Sequence, residues 1–333
     1  KEGYLTSLNT TILEDTLYTI RLRLSSNNEI YEDRILIIVN NIQNTFHVDD
    51  DNTEGPWTGT IDHPYKEIRD GINYAGYKDI IFVHNGTYYE TIKIEGAINL
   101  IGEDKSNTII DAQENGSVLQ LHSNDIRIKN FTIKNANNSV FMAGVKFDKL
   151  LENIEILNND FINCSSGVFL EVAYNCTIFD NYFLNSSNIL FISCMKNSIQ
   201  RNIVENCEVG IGIALGVLND ISNNKFINNE YGILLSYSSL NLIVGNNITK
   251  CGKGIFLFIW GKNLISKNNF IENKRHAQYL NSRLNIWNKN YWDNWIGLKR
   301  PIFKFIPKVI LGIILPFSRP QFDWKPVTEP YDI

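Results

Sequence analysis

Hydrophobic and polar positions follow a pattern that repeats about every 22 residues from Asn153 onward. Each repeat holds three short apolar bursts, separated by asparagine and by a turn position that is usually glycine: Gly167, Gly210, Gly232 and Gly254. The apolar positions align in three columns: Ile156, Ile178, Ile199, Ile221, Ile243 and Ile265; Phe161, Phe183, Val204, Phe226, Ile248, Phe270 and Trp292; and Val168, Leu190, Ile211, Ile233, Ile255 and Ala277. A unit this short, rich in β-formers and without a helical pattern, predicts an all-β fold in which each repeat is one coil of a parallel β-helix.

Asparagines form two further columns in the same register. The first has a step of 22 residues throughout: Asn153, Asn175, Asn197, Asn219, Asn241, Asn263 and Asn285. The second keeps this step apart from one spacing of 21: Asn159, Asn181, Asn202, Asn224, Asn246, Asn268 and Asn290. A side-chain amide both donates and accepts hydrogen bonds, so stacked asparagines can satisfy one another from coil to coil. We therefore interpret both columns as structural ladders rather than as ligands or catalysts.

Changes in the pattern divide the chain into four segments. Residues 1–42 hold two alternating strands, LYTIRLRLSS and NNEIYEDRILIIVNN, which resemble the end of an immunoglobulin-like or fibronectin-like β-sandwich. A linker is expected over 43–63, the parallel β-helix over 64–292, and an irregular C-terminal cap over 293–333. Since the first strands lack the rest of a sandwich, the chain is expected to be a piece of a longer or processed protein.

Both open ends of the predicted solenoid need a cover, because unpaired strand edges invite association. At the N-terminal end, Ile68, Ile72 and Ala75 stand at helical spacing and predict a short capping helix. At the other end, two interpretations compete for the apolar run over 302–317: a cap over the last coil, or a basic amphipathic anchor on a membrane surface. Three prolines break any long helix in that run and favour the cap: Pro301, Pro307 and Pro316.

Composition excludes several classes of function. The 333 residues are 44% hydrophobic and carry a net charge of -5, enough for a large core and without the basic runs expected of a nucleic-acid-binding protein. No apolar stretch reaches the roughly 18 residues of a membrane span. We interpret the five cysteines as small apolar core residues, because those that share a column are two coils apart and too distant to bridge: Cys164, Cys207 and Cys251.

Two groups of residues are weak candidates for chemistry. Glu208 and Glu230 share a column on adjacent coils, where a separation near the roughly 5 Å of a retaining glycosidase pair is expected. His47 with Asp49, Asp50 and Asp51 is the densest group of metal donors, but it lacks the glycine and terminal glutamate of a calcium loop. A solvated turn is the alternative for the first group, and a solvated linker or a structural calcium ion for the second. No other cofactor is expected.

The segment GTIDHPYKEIRDGINYAGYKDIIFVHNGTYYETIKIEGAINLIGEDKSNTIID, followed by the asparagine-rich coils and by NYWDNWIG at 290–297, resembles the NosD-type proteins of the pectin-lyase-like superfamily. This resemblance covers about residues 56–333 and implies that the parallel β-helix is right-handed. The closing FDWKPVTEPYDI resembles the tail of archaeal surface members. Together with N-glycosylation sequons at six asparagines, the resemblance implies an extracellular, cell-surface or periplasmic location: Asn9, Asn85, Asn115, Asn137, Asn185 and Asn247.

The superfamily holds both enzymes and binding proteins, so its resemblance leaves the function open. Galacturonases of this fold use a Gly-His-Gly turn beside an Arg-Ile-Lys strand; Arg127, Ile128 and Lys129 match the strand, but the sequence has no such turn. The Asp-Pro-His motif of alginate epimerases is also missing. Copper chemistry, which the NosD resemblance implies, needs clustered soft or imidazole ligands, and the five histidines and two methionines do not stand at ligand spacing.

Two hypotheses follow. The first is a non-catalytic surface module whose partner is a polysaccharide or a cell-surface protein. The second is an enzyme acting on polysaccharide, as a lyase, hydrolase or epimerase, or a copper-associated protein of the NosD type. The lack of a recognisable acid and base set in the sequence favours the first.

Overall fold

The computed structural model describes residues 17–26, 29–38, 42–137, 139, 141–186, 189–295, 307–310, 312 and 320–333, together with Leu13. One helix, α1 (Ile68–Tyr74), is present among them, and nearly all other regular structure is β-strand. Within these residues no helix has the length and apolar character needed to cross a membrane. The predicted all-β class is confirmed.

Three parallel sheets form the faces of the solenoid. The first sheet runs in the order β3 (Thr45–Val48), β4 (Ile80–Val83), β7 (Asn99–Gly102), β10 (Arg127–Lys129), β13 (Glu155–Leu157), β16 (Thr177–Phe179), β19 (Ser198–Gln200), β22 (Asp220–Ser222), β25 (Leu242–Val244), β28 (Leu264–Ser266), β31 (Ile286–Asn288), β34 (Gln321–Asp323) and β33 (Lys308–Ile310). All of these pair in parallel except β33, which is antiparallel to β34.

The other two sheets have the same stacked order. The second holds β5 (Gly86–Tyr88), β8 (Thr108–Asp111), β11 (Thr132–Lys134), β14 (Asp160–Ile162), β17 (Tyr182–Leu184), β20 (Ile203–Glu205), β23 (Lys225–Ile227), β26 (Asn247–Thr249), β29 (Asn269–Ile271) and β32 (Tyr291–Trp292). The third holds β6 (Ile92–Ile94), β9 (Leu119–Leu121), β12 (Ala143–Glu152), β15 (Ser166–Tyr174), β18 (Ile189–Ile192), β21 (Val209–Ala214), β24 (Tyr231–Ser236), β27 (Lys253–Gly261) and β30 (Arg275–Arg283). Each of the nine coils from β4 to β30 contributes one strand to each sheet, so the predicted coil of about 22 residues is confirmed.

Two of the three predicted apolar columns form continuous buried stacks inside the solenoid. The column that contains Ile156 and the column that contains Phe161 pair residue by residue in the first and second sheets. The prediction of the third column was wrong in one coil, where it placed Leu190. Val168 pairs with Ile189, which is buried, while Leu190 pairs with Phe169. The coil that holds Ile189 is one residue shorter than its neighbours, which shifts the alternation of inward and outward side chains.

The predicted asparagine ladder is present in the turn between the first and second sheets. Each member before the last donates from its backbone N–H and its Nδ2 to the Oδ1 of the next asparagine, at 2.9–3.1 Å. The seven rungs are Asn159, Asn181, Asn202, Asn224, Asn246, Asn268 and Asn290, and all are buried. The ladder therefore satisfies polar groups that the tight turn removes from water.

The other predicted column combines two positions of the turn between the third and first sheets. Asn197, Asn219, Asn241, Asn263 and Asn285 form the same kind of ladder. Asn153 and Asn175 lie one position earlier, exposed and with φ of 57° and 52°, and the Nδ2 of Asn175 donates to the Oδ1 of Asn153 at 2.7 Å. At the buried position their coils carry Ile154 and Cys176 instead, because the step from Cys176 to Asn197 is 21 residues.

A third, shorter set of polar contacts lies in the turn between the second and third sheets. There the buried column alternates cysteine with serine or asparagine: Cys164, Ser186, Cys207, Asn229, Cys251 and Asn273. Each cysteine backbone N–H donates to the next polar side chain, at 2.8–3.2 Å. Burial raises the pKa of the Cys164 thiol to about 12 and that of Cys251 to about 11. All five cysteines are free and buried, which agrees with their interpretation as small core residues.

Helix α1 lies at the N-terminal end of the solenoid, as predicted. Its buried residues are Ile68 and Gly71, and a side chain at Gly71 would come within 3.1 Å of Val48 and 3.2 Å of Ile81. The buried carboxylate of Glu90 accepts from the backbone N–H of Ile68 at 2.8 Å and of Arg69 at 3.2 Å. This carboxylate satisfies the first turn of the helix, although burial raises its pKa.

The first two strands, β1 (Leu17–Ser26) and β2 (Glu29–Ile38), form an antiparallel hairpin. Among the described strands they pair only with each other. Large apolar side chains of the hairpin are exposed, with Leu17 at 60%, Ile35 at 61% and Leu36 at 66%. A sandwich remnant over 1–42 and a linker over 43–63 remain predictions, although β3 already belongs to the first sheet.

At the C-terminal end, the described part of residues 293–333 packs on the last coil. The carboxylate of Asp323 is buried, and its Oδ2 accepts from the backbone N–H and Nδ2 of Asn290 at 3.0 and 2.9 Å and from Nε1 of Trp292 at 3.2 Å. Asp323 thus takes the place of the next asparagine in the ladder. Most of the apolar run over 302–317, on which the choice between cap and membrane anchor depended, lies outside the described residues.

Replacing Asp323 by alanine is expected to lower the free energy of unfolding by about 2–3 kcal/mol, because three buried donors lose their acceptor. Asp323→Asn is the matched control, since it keeps one acceptor oxygen in place. Urea unfolding followed by circular dichroism measures both variants. Equal losses for the alanine and asparagine variants would show that packing of the segment, and not the ladder bond, is what matters.

Candidate functional site

Aromatic side chains cluster on the outward face of the third sheet, on strands β24 and β27. Tyr237, just after β24, lies 5.6 Å from Phe258 and 6.1 Å from Trp260 between ring centroids, and it meets both rings edge to face. Trp260 is 51% exposed and Tyr237 is 39% exposed. We call these three residues the aromatic face. Exposed aromatic rings held against one another on a rigid sheet form a preorganised apolar binding platform.

A cation lies on the same sheet, at the opposite end of these strands from the aromatic face. The Nζ of Lys253 donates to the hydroxyl of Tyr231 at 2.6 Å and lies 4.2 Å from the centroid of the Tyr231 ring and 5.4 Å from that of Phe256. The contacts fix the ammonium group over the sheet by cation–π attraction. The neighbouring strand also carries a cation at this position, because Lys253 pairs in register with Arg275.

An exposed apolar ridge runs along the turn between the third and first sheets and shares Tyr237 and Trp260 with the aromatic face. Its members all have φ between 49° and 60° and are 39–72% exposed: Leu215, Leu218, Tyr237, Leu240, Trp260 and Leu284. In the other two turns this left-handed conformation is taken by asparagine, by another polar residue or by glycine, as at Asn158, Asn228, Asp180 and Gly245. A bulky side chain there costs roughly 1–2 kcal/mol, so an exposed ridge of leucine and aromatic residues opposes the local backbone preference. Such outliers are typical of binding surfaces.

A shallow cavity of about 430 Å³ opens on the ridge. Its wall includes Ile259, Trp260 and Leu284, and its polar rim includes Ser239, Asn281 and Arg283. Gly261 permits this arrangement, because a Cβ at that residue would lie 1.6 Å from the carbonyl oxygen of Arg283. The ridge and the aromatic face therefore form one continuous surface with an apolar centre and polar neighbours.

Glu208 and Glu230 lie in the turn just before β21 and β24. The backbone N–H of Tyr231 donates to the carbonyl of Glu208 at 2.9 Å, so the two glutamates are on adjacent coils as predicted. Both side chains are exposed, and within the described residues neither carboxylate has a hydrogen-bond or ion-pair partner. A general acid is normally held in an apolar or water-excluding environment that raises its pKa. The surroundings of this pair do not provide one, and a catalytic role for it remains a prediction.

His47 and the three aspartates that follow it lie at the N-terminal end of the first sheet. His47 Nδ1 is 3.2 Å from His84 Nε2, and burial together with His84 lowers the pKa of His47. The Oδ2 of Asp50 accepts from the backbone N–H of Thr87 at 3.1 Å, and Asp49 accepts from the backbone N–H of Asp51 at 3.1 Å. Asp49 and Asp50 therefore accept hydrogen bonds from backbone N–H groups, and the use of the three aspartates as calcium ligands stays a prediction.

Soft-metal donors are dispersed through the fold. The thiols are buried, and burial raises their pKa to about 11 or 12, which disfavours the thiolate that binds a metal. His276 Nε2 contacts Asp293 Oδ1 at 2.7 Å, and the nearest partner of the His47 ring is His84. Across the described ranges, no group of three or more histidine, cysteine, aspartate or glutamate residues could hold a metal ion.

The aromatic face was not among the residues singled out from the sequence. The sequence feature that could have identified it is the alternation within GIFLFIWG of β27. Phe256, Phe258 and Trp260 occupy the outward positions there, while Ile255 and Leu257 are buried. An apolar residue at every position of a strand indicates that both faces are used, one for the core and one for another contact.

Solved structures of similar fold include a complex of XylC with xylose, which has a TM-score of 0.53 and 11% sequence identity over 74% of this chain and 69% of that one. A family 28 exopolygalacturonase from Yersinia enterocolitica has a TM-score of 0.51 and 12% identity over 84% of this chain and 67% of that one. At this identity the likeness shows the fold alone. No curated protein matches the sequence significantly.

The model of the family described as "Periplasmic copper-binding protein (NosD)" matches residues 72–297, well over half of the chain. The dispersed donors described above do not fit a copper centre, since imidazole and thiolate ligands must converge on the ion. The family assignment therefore rests on the repeat pattern of the coils and not on a copper site. The chain belongs to the NosD family of parallel β-helix proteins.

Proposed function

We propose that the chain is a non-catalytic module of the periplasm or cell surface that binds carbohydrate on the aromatic face. The observation that supports this most directly is the cluster of Tyr237, Phe258 and Trp260, rigidly held on adjacent strands and open to solvent. Sugar rings present flat patches of C–H groups, which pack on such rings, while their hydroxyls need donors and acceptors nearby. The polar rim at Ser239, Asn281 and Arg283 supplies these.

The rigidity of the platform supports the proposal further. Tyr237 meets Phe258 at 90° and Trp260 at 86° between ring planes, so each ring limits the rotation of its neighbours. Side chains fixed before binding lose little conformational entropy when the ligand arrives. Long polysaccharides can also extend along the sheet, because successive coils repeat about every 4.8 Å.

Trp260→Ala is expected to weaken the association of the protein with its oligosaccharide about tenfold or more, because a central tryptophan at a binding surface contributes at least about 1.4 kcal/mol. Trp57→Ala is the matched control, since Trp57 has nearly the same exposure, 50%, at the N-terminal end of the molecule. A glycan array identifies the ligand, and isothermal titration calorimetry measures both variants against it. Equal affinities for the two variants, or no glycan bound by the wild type, would contradict the proposal.

The enzymatic alternative is a polysaccharide hydrolase or lyase that uses Glu208 and Glu230. The observation that favours it is their position on adjacent coils, beside Tyr231 and the cation of Lys253. Incubation of the protein with polyuronates and neutral polysaccharides, followed by chromatography of the products, tests it. Product release that is abolished by both Glu208→Gln and Glu230→Gln would replace the binding proposal with a catalytic one.

A further inference from the structure

A cavity of about 540 Å³ lies where the last coil meets the returning C-terminal segment. One wall comes from Lys274 and Arg275 at the start of β30, and the opposite wall comes from Lys308 at the start of β33. The indole of Trp292 also lines it and is buried and stacked on Phe270, with 4.2 Å between ring centroids. Segments far apart in the sequence thus bring three cations to one cavity.

The ammonium group of Lys308 lacks a carboxylate partner among the described residues. Its Nζ donates to the neutral Oδ1 of Asn294 at 2.5 Å and lies 5.9 Å from the centroid of the Trp292 ring. Burial lowers the pKa of Lys308 and outweighs the opposing effect of the Asp293 charge, so the surroundings replace only part of the hydration of the ammonium group. A partly dehydrated cation of this kind gains from an added anion more than a solvated one does.

The acid nearest to the cavity is Asp293, and both of its oxygens are engaged elsewhere. Oδ1 contacts Nε2 of His276 at 2.7 Å, and Oδ2 accepts from the backbone N–H of Glu272 at 2.5 Å. His276, whose pKa is lowered by burial, also contacts Asn273 through Nδ1 at 3.2 Å. Lys274, Arg275 and Lys308 line the cavity, and among the described residues no carboxylate lines it, so the charge around the cavity is positive although the chain as a whole is acidic.

We propose that this cavity is a binding site for an oxyanionic group, a sulfate, phosphate or carboxylate, held by Lys308 and Arg275. A guanidinium group binds two oxygens of such an anion at once, and an ammonium group adds a compact point charge. Arg275 pairs in register with Lys253, which begins the strand whose other end carries Phe258 and Trp260. The anion arrives either as a free ion or as a charged group on a saccharide that lies along this face; the second source rests on the proposed function.

Titration of the protein with sodium sulfate and sodium phosphate, at constant ionic strength against sodium chloride, tests the site. Calorimetry measures binding, and intrinsic tryptophan fluorescence, to which Trp292 in the cavity wall contributes, reports it independently. Saturable binding of at least one divalent anion is expected, and Arg275→Gln and Lys308→Met should each weaken it about tenfold or more. Lys267→Gln, which removes the same charge from an exposed turn between the first and second sheets, should leave it unchanged.

Arg275 is exposed, so its variant is expected to fold even where Lys308→Met disturbs the C-terminal segment. A wild type without saturable binding, or equal affinities for Arg275→Gln and Lys267→Gln, would overturn the proposal.

Sulfated, uronic and neutral oligosaccharides then separate the two sources of the anion. A charged oligosaccharide that binds more tightly than the free anion, and that loses affinity with both Arg275→Gln and Trp260→Ala, identifies a glycan. A free anion that binds independently of Trp260 identifies an ion site. Glycan binding that depends on Trp260, in a wild type that shows no saturable binding of sulfate, phosphate or a charged oligosaccharide through Arg275, would refute the anion site and leave the proposed function standing.

Discussion

Replacing Asn224 by aspartate is expected to destabilise the protein by about 3–5 kcal/mol at neutral pH, the range for an uncompensated buried charge. The Oδ1 of Asn224 accepts from the backbone N–H and Nδ2 of Asn202, and its Nδ2 donates to the carbonyl of Ile199 at 2.9 Å and to Oδ1 of Asn246 at 3.0 Å. The second oxygen of an aspartate would face these two acceptors without a proton to share. The site is fully buried, so water cannot compensate.

The loss should depend on pH, because burial raises the pKa of an aspartate at this position above its unfolded value of about 3.9. Below that value both states are protonated, and the neutral acid can donate to one of the facing oxygens. As pH rises, the unfolded state releases its proton first, so the stability of the variant falls until the folded-state pKa is passed. Urea unfolding of variant and wild type between acid and neutral pH measures the difference.

Asn228→Asp is the matched control for this effect. Asn228 is exposed in the next turn, with φ of 54°, and its Nδ2 donates to Oδ1 of Asn206 at 2.7 Å. A carboxylate there stays hydrated, and aspartate accepts the same backbone conformation. A loss of unfolding free energy in Asn224→Asp that does not change with pH, or an equal loss in both variants, would show that water reaches the ladder that contains Asn224.

Phe226→Ala is expected to cost about 3–5 kcal/mol, as for other fully buried aromatic side chains. Phe226 lies between Val204 and Ile248 in the second sheet and contacts the backbone of the third: a Cβ at Gly210 would lie 2.6 Å from its ring. Each coil contacts only its neighbours, so the damage should be centred on one rung and spread by fraying. Hydrogen exchange by mass spectrometry should show the largest loss of protection in β20, β23 and β26, with smaller losses in coils farther away.

Phe179→Ala serves as the control, since Phe179 faces outward on the first sheet and packs under the guanidinium group of Arg201, 4.9 Å from the ring centroid. Its removal leaves no internal cavity and should have a small effect on exchange in the core strands. A uniform rise in exchange across all coils of Phe226→Ala would mean that the protein unfolds as one cooperative unit.

The two proposed binding features depend on the same physical property of the solenoid. Its inward residues are fixed by stacking, so its outward residues are free to differ from coil to coil without loss of the fold. The outward row that contains Lys146 and Gln120 toward the N-terminal end changes to Leu234 and Phe256 toward the other end. We therefore expect the binding sites in the coils whose outward side chains are apolar or aromatic instead of polar.

Several features of the protein were determined by local sequence alone. The repeat predicted the parallel β-helix, the two continuous apolar stacks and the ladder from Asn159 to Asn290, because in a solenoid each residue meets its equivalent one period later. The spacing of Ile68, Ile72 and Ala75 likewise predicted helix α1. Periodicity is informative where the period is constant, and it failed at the one shorter coil, where Asn153, Asn175 and Leu190 were assigned to positions that they do not occupy.

Other features were decided only by the tertiary structure. Asp323 completes the asparagine ladder 33 residues after Asn290, and no period connects the two positions. Lys308 reaches Trp292 and the cavity beside Arg275 through a returning segment whose path the sequence does not encode in any repeat. The left-handed backbone of Leu218, Leu240 and Leu284 is also a consequence of the turn that the stacked coils impose, since leucine by itself disfavours that conformation. Contacts between residues one period apart can thus be predicted from the sequence, while those that close the end of the solenoid depend on the free energy of packing a unique segment against the last coil.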